Sequence, residues 1–212
     1  MTRRAWLRRI SAVILAAGGL RRDVRAQTPW TSLFDGSTLG PWEQTSFGGE
    51  GPVDVRDGAI VLGMGDPLTG ITWTGAPVPA AYEIALEAAR LAGSDFFCGL
   101  TFPVGVSHCS LILGGWGGTT VGLSSLDGQD ASENETTREM RFEDKRWYRV
   151  RVAVTATHIR AWLDDEPIVE VATAGRRIGI RPELDASRPL GIASYRTRAG
   201  VRAIRMRRLA MI

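Results

Sequence analysis

The densest group of reactive side chains lies between Leu126 and Arg138, where Asp127, Asp130, Glu133 and Glu135 share a short stretch with Gln129, Asn134 and Arg138. Cleavage of a glycoside uses one carboxylic acid to protonate the leaving oxygen and a second carboxylate as base or nucleophile, roughly 5 to 10 Å apart. Asp127, Glu133 and Glu135 can supply such a pair, while Asn134 and Arg138 suit sugar hydroxyls. A solvated acidic loop explains the same residues without chemistry. A cation is a third reading, because hard ions take clusters of carboxylate and carbonyl oxygens. Asp127, Gln129 and Ala131 do not follow the acidic alternation of the twelve-residue calcium loop, so no metal and no other cofactor is assigned, although a divalent cation stays open.

Two further clusters suit a sugar ligand. Trp116 sits among four glycines in Gly114-Gly115-Trp116-Gly117-Gly118, where backbone can approach a ligand and an indole can stack on a sugar face. A tight bend with a packing tryptophan accounts for it equally well. Tyr195 and Arg196 put a phenol beside a planar donor fork that matches hydroxyls, though an edge ion pair explains Arg196 as easily. There are two histidines, His108 and His158; His158 opens an alternating strand and reads as a surface residue. A Cys109–His108 nucleophilic pair is disfavoured, since neighbours on a strand point to opposite faces.

The elements that must position these groups are strands. No window carries sustained helical spacing, whereas period-two alternation bounded by Gly, Pro, Asn and Asp recurs. In residues 147–154 Tyr148, Val150, Val152 and Val154 face one way, and Trp147, Arg149, Arg151 and Ala153 the other. With residues 158–163 and 168–171 this segment reads as a three-strand meander. Residues 53–56 and 60–62 flank Asp57-Gly58, a pair suited to a tight hairpin. Further strands are expected at 71–74, 96–102, 110–113, 120–124, 190–195 and 201–209. Residues 82–91 contain enough Ala and Glu for a helix, but Tyr82, Ile84, Leu86 and Ala88 alternate, which favours a strand. Arg149, Arg151, Arg205 and Arg207 read as solvent faces. So many short strands predict an all-β sandwich of two antiparallel sheets, with no linker or repeat dividing it.

The first 26 residues read as a cleavable signal. Thr2-Arg3-Arg4-Ala5-Trp6-Leu7-Arg8 matches the twin-arginine pattern, and a short apolar run, Ile10 to Leu20, follows. Cleavage is expected after Ala26, which makes residues 27–212 a single exported domain, periplasmic or secreted, with no membrane contact after cleavage. The whole chain is +3, but residues 1–26 contain seven arginines and one aspartate, so the remainder carries about −3 and offers no basic surface for nucleic acid. Cys98 and Cys109 are the two cysteines. They flank a hairpin turn expected near Pro103 to Gly105, and they oppose each other only if the turn centres between Pro103 and Val104.

Leu33-Phe34-Asp35-Gly36-Ser37-Thr38-Leu39-Gly40-Pro41-Trp42 resembles the opening signature of the 3-keto-disaccharide hydrolase domain family. The 53–62 hairpin, the 147–171 meander and the segments Leu190-Gly191-Ile192-Ala193 and Ala203-Ile204-Arg205-Met206-Arg207 resemble its later elements. The resemblance implies a concanavalin-like jelly roll, an extracytoplasmic setting, a carbohydrate ligand, and hydrolase or lyase chemistry on glycosides or 3-keto-glycosides in a cleft on the concave sheet. A sugar-binding module or a cell-surface interaction domain needs fewer groups and is the alternative. Where relatives carry a Glu-x-Gln-apolar-x-Asp strand, this chain reads His108-Cys109-Ser110-Leu111-Ile112-Leu113. His108 is therefore the expected acid, base or ligand contact of that stretch, working with Asp127, Glu133 and Glu135, while Trp116, Asn134, Arg138, Tyr195 and Arg196 hold the sugar.

Overall fold

Alternating side chains demand a partner layer for each apolar face, and the computed structural model, which describes residues 28–210, answers with two antiparallel sheets. In chain order the strands are β1 (Thr31–Ser32), β2 (Trp42–Gln44), β3 (Val53–Arg56), β4 (Ala59–Leu62), β5 (Leu68–Trp73), β6 (Tyr82–Gly93), β7 (Cys98–Val104) and β8 (Ser107–Gly115). They continue with β9 (Thr120–Ser124), β10 (Arg138–Glu139), β11 (Tyr148–Val154), β12 (His158–Leu163), β13 (Glu166–Ala172), β14 (Gly191–Tyr195) and β15 (Thr197–Arg208). The first sheet runs β13-β12-β11-β6-β15-β4-β3, with β1 added on β15; the second runs β10-β9-β8-β7-β14-β5-β2. This is a jelly-roll-like sandwich. The expected signal, residues 1–26, lies outside the described residues.

The alternation read from the sequence decides which residues meet between the sheets. Tyr148, Val150, Val152 and Val154 are buried there against Ile84, Leu86, Leu100, Phe102 and Leu111. The ambiguous segment is a strand: β6 is central, pairing with β11 on one side and β15 on the other. Its helix-compatible composition yields to this double pairing, because a central strand fills both rows of backbone hydrogen bonds.

On the outer face of the first sheet Arg149 and Arg205 are exposed as expected, but Arg151 and Arg207 are not. Glu83 on β6 is only 2% exposed, and it receives Arg151 Nη1 at 2.6 Å from β11 and Arg207 Nε at 2.6 Å from β15. Arg151 also lies 3.8 Å over the Trp162 ring, and Arg207 4.6 Å over that of Trp30. Two guanidiniums sharing one buried carboxylate tie three neighbouring strands across the ladder.

The Leu33–Trp42 stretch is architecture. Asp35 accepts the N–H groups of Thr38 and Ser37 at 2.8 and 2.7 Å, and these bonds, Thr38's foremost, bring its carboxyl down to about 2. Gly36 (φ 82°) completes that turn in the left-handed region open to glycine. Trp42, 1% exposed, donates its indole N–H to the Leu33 carbonyl at 2.9 Å and meets Trp73 edge-on at 5.2 Å. The signature closes on its own first residue.

The β7–β8 register settles the cysteines. Phe102 faces Cys109 and Cys98 faces Leu113, so the two thiols stand four positions apart along the hairpin, both free and buried. The turn centres at Gly105–Val106, beyond the position that would have paired them. Burial pushes both thiols up to about 12, which removes the thiolate needed for exchange.

Trp42→Ala is expected to cost about 3–5 kcal/mol, the range for emptying a large aromatic site, read as a lowered denaturant midpoint. A reductant is expected to leave the thermal midpoint of the purified chain unchanged, and thiol titration after unfolding is expected to find both cysteines free.

Candidate functional site

On β8 the residues Cys109, Leu111 and Leu113 point between the sheets, so Ser110 and Ile112 point out. An outward isoleucine needs cover. It forms a second apolar cluster with Leu68 of β5, Ala193 of β14 and Phe96, closed from outside by Ala131 and Leu184. Leu184 belongs to a short 3₁₀ turn, Pro182–Ser187, that starts on proline; Ala131 belongs to the carboxylate-rich loop. The cover is tied down at two points: Thr72 Oγ1 donates to the Ala186 carbonyl at 3.1 Å, and Arg181 is ion-paired with Asp130.

Between this cover and the β8–β9 turn lies a pocket of about 220 Å³. Ile112 and Leu68 floor it, and the Phe96 and Tyr195 rings, 5.7 Å apart and tilted by 37°, form one wall. Trp116, Arg181 and Glu183 also line it. Arg181 Nη2 holds Glu183 at 2.8 Å, and this bond keeps the Glu183 carboxyl below its ordinary value.

Trp116 has unusual backbone. It lies at φ 49°, followed by Gly117 at 91° and Gly118 at 107°, and its side chain remains 43% exposed. A left-handed bulky residue costs of order 1–3 kcal/mol, and this indole is only partly buried in return. Asp95 anchors the turn by accepting the Gly117 N–H on Oδ2 at 3.3 Å, while its Oδ1 accepts the Phe96 N–H at 2.7 Å. One carboxylate thus places both aromatics.

The structure sorts the residues singled out by sequence. Trp116 and Tyr195 line the pocket. Arg196 follows Tyr195 at φ 43° and turns to Asp66 at 3.4 Å. Asn134 is 7% exposed: its amide nitrogen donates to the carbonyls of Leu123, Asp130 and Gln129 at 2.7, 2.6 and 3.2 Å, and its oxygen accepts from Thr136. Those bonds spend the side chain on folding the loop, leaving nothing for a sugar. Asp127 and Glu135 both hold Arg176, at 2.6 and 2.5 Å. The Arg177 N–H first and Arg176 next lower Asp127, and Arg176 lowers Glu135, so both carry charge where a proton-donating acid would not. Glu133 and Arg138 are exposed, the latter on edge strand β10.

His108 lies on the outer face beside Pro103, past the far end of the cover. Burial, then Arg188, lowers its imidazole, with Asp185 opposing. His158 Nδ1 meets Thr157 Oγ1 at 2.9 Å. Among the described residues no three His, Cys, Asp or Glu side chains converge as a metal site requires. Asp95, Phe96, Arg181 and Glu183 are site residues that the sequence reading passed over. The signal for the last two is the Arg181-Pro182-Glu183 run, a proline and an acid opening a helical turn.

A family match covers nearly all of the described strands: 3-keto-alpha-glucoside-1,2-lyase-like domains match residues 29–207. Among solved structures, a Bacillus subtilis protein of unknown function with a galectin-like fold superposes with TM-score 0.60 at 11% identity, over 88% of this chain and 98% of that one. Domain 4 of the GH43 extracellular arabinanase AbnA from Geobacillus stearothermophilus, in complex with arabinotriose, gives 0.53 at 13%, over 88% and 94%. An alginate lyase from Corynebacterium sp. gives 0.50 at 10%, over 79% and 94%. At such identities the likeness is one of fold. No curated protein matches the sequence.

Both Asp127 and Glu135 bind protons more weakly in the folded chain than in the unfolded one, so their bonds to Arg176 stabilise above the ordinary carboxylate range and fade as pH falls through the folded values. Carboxyl-resolved NMR titration is expected to find both below ordinary values. Arg176→Gln is expected to move Glu135 back towards its ordinary value, with a smaller change at Asp127, where the Arg177 N–H remains.

Proposed function

Because the chain belongs to the 3-keto-alpha-glucoside-1,2-lyase-like domain family, we propose that it is an exported carbohydrate-active domain, periplasmic or secreted through the twin-arginine route, that seats a sugar ring against Trp116. The observation that carries this reading is the partly exposed indole held at positive φ in a pocket that the Phe96 and Tyr195 rings also line. A partly exposed aromatic on a left-handed residue beside a pocket suits a side chain kept in place for a ligand. The aromatic faces take the apolar face of the ring, while Arg181 and Glu183 take hydroxyls. The arabinotriose-bound arabinanase domain shows a sugar complex on this fold.

Binding is the function this geometry supports best. Glycoside hydrolysis by paired carboxyls wants a protonated acid, and Asp127, Glu135 and Glu183 are all pulled the other way by arginines. A second reading, 1,2-elimination, is favoured by the Arg181–Glu183 pair. A ketone at C3 of a glycoside acidifies the C2 hydrogen. A carboxylate already ionised takes that proton, the C1–O bond breaks to release the aglycone with its electron pair, and a double bond forms between C1 and C2. Arg181 holds Glu183 ionised, the form a base needs though a less basic one, and Arg181 is the one cation among the described residues lining the pocket for developing enolate charge.

Calorimetric titration with gluco- and arabino-oligosaccharides and 3-keto-glucosides tests both readings. Trp116→Ala is expected to weaken binding about tenfold, or about 1.4 kcal/mol, without lowering the thermal midpoint; unchanged affinity would place the sugar elsewhere. Turnover of a 3-keto-glucoside by the parent, with or without divalent cations, lost in Glu183→Gln while binding persists, is the expected signature of elimination. Binding without turnover in the parent identifies a binding domain.

A further inference from the structure

On the other side of the Trp116 turn lies a second, more open pocket of about 330 Å³. Gly93, Ser94, Gly117, Gly118 and Thr119 supply much of its wall, with Phe142 and Arg90 beneath and Arg141 and Asp144 beside them. The two pockets share one ridge. Trp116 lines the first and Gly117 the second, and Asp95 of the first accepts the Gly117 N–H. A side chain on Gly117 would meet nothing within 4 Å, so the ridge is a low saddle that a flexible chain of sugar rings can cross.

The two sides carry opposite charge. The first pocket presents two carboxylates, Asp95 and Glu183, against one guanidinium, Arg181. The second presents two guanidiniums, Arg90 and Arg141, against one carboxylate, Asp144. Arg90 is already spent: its Nε holds Asp144 at 2.6 Å, its Nη2 donates to the Phe142 carbonyl at 2.6 Å and its Nη1 to that of Gly118 at 3.4 Å. Arg141 is exposed and makes no hydrogen bond or ion pair among the described residues. The second pocket therefore holds one uncompensated cation, set among hydroxyls and open backbone.

We propose that this pocket is a second subsite of the same sugar site, taking a ring that bears a carboxylate, so that the ligand is a uronate-containing oligosaccharide of at least two rings. Arg141 pairs with the carboxylate, Ser94 and Thr119 face the hydroxyls, and the charge difference across the saddle sets the direction of the chain: neutral ring against Trp116, acidic ring against Arg141. A guanidinium is suited to a carboxylate by its paired donors. The proposal rests on the Trp116 pocket being the primary sugar site.

The experiment compares neutral disaccharides with their uronic acid analogues, cellobiose with cellobiouronic acid first, by calorimetric titration of the mature chain. The acidic member of a pair is expected to bind about tenfold more tightly at low salt, a gain that shrinks as salt screens the exposed pair. Arg141→Gln is expected to remove that gain while leaving the neutral disaccharide's affinity unchanged, and Arg141→Lys to restore part of it. Equal binding of both members across the series, or a gain that survives Arg141→Gln, overturns the acidic subsite and leaves the Trp116 site standing. Binding of neither member by the parent overturns both.

Discussion

The second sheet carries apolar side chains on both of its faces, and the need to cover the outer one shapes everything near the site. Cys109, Leu111 and Leu113 of β8 are satisfied by the first sheet, but Ile112, with Leu68 and Ala193 beside it, is left facing out. Leu184 and Ala131 close over it. Burying one leucine side chain contributes of order 1.5–3 kcal/mol, enough to fix a six-residue 3₁₀ turn that would not persist alone. That turn delivers Arg181 and Glu183 to the pocket. The pocket is the part of the outer face that the cover does not reach.

Charge is used in two different ways across the molecule. Around Glu83 two arginines and two indoles enclose a buried carboxylate and lock β6 to β11 and β15; removing one partner there leaves buried charge unpaired, which is costly. In the carboxylate-rich loop, Arg176 and Arg181 gather Asp127, Glu135 and Asp130 into exposed pairs, each weak by itself. Asn134 supplies the rigidity those pairs lack, since five bonds converge on one buried amide. A stretch that offers the residue types of a hydrolase is thereby consumed in building the cover.

At the site the balance is reversed. Trp116 stands partly exposed on a left-handed residue, so packing covers only part of an indole that the backbone holds at a cost. The same turn divides two pockets of opposite charge. One side is aromatic and the other cationic, the pairing that an amphiphilic, partly acidic glycan presents.

The β architecture was legible from alternation alone, because which residues alternate is a property of the chain. The meander of β11 to β13 follows directly from it, alternation tipped the helix-compatible residues 82–91 to a strand, and the Leu33–Trp42 motif marked the family. The glycine-flanked turn at Trp116 was legible too, but the sequence left a packing tryptophan in a tight bend as open as a platform for a sugar. What the sequence could not determine was which polar groups remain available. Asp127 and Glu135 look alike with Glu133 on paper, yet their partners Arg176 and Arg177 lie far enough along the chain that only folding brings them together. For the same reason Cys98 and Cys109 depended on where one turn centred, Asp95 carried no signature of a site, and the Arg181-Pro182-Glu183 run marked a turn without telling that it lines a pocket. Local periodicity determines faces; the partners that neutralise, bury or free a side chain come from distant segments, and those only the tertiary structure decided.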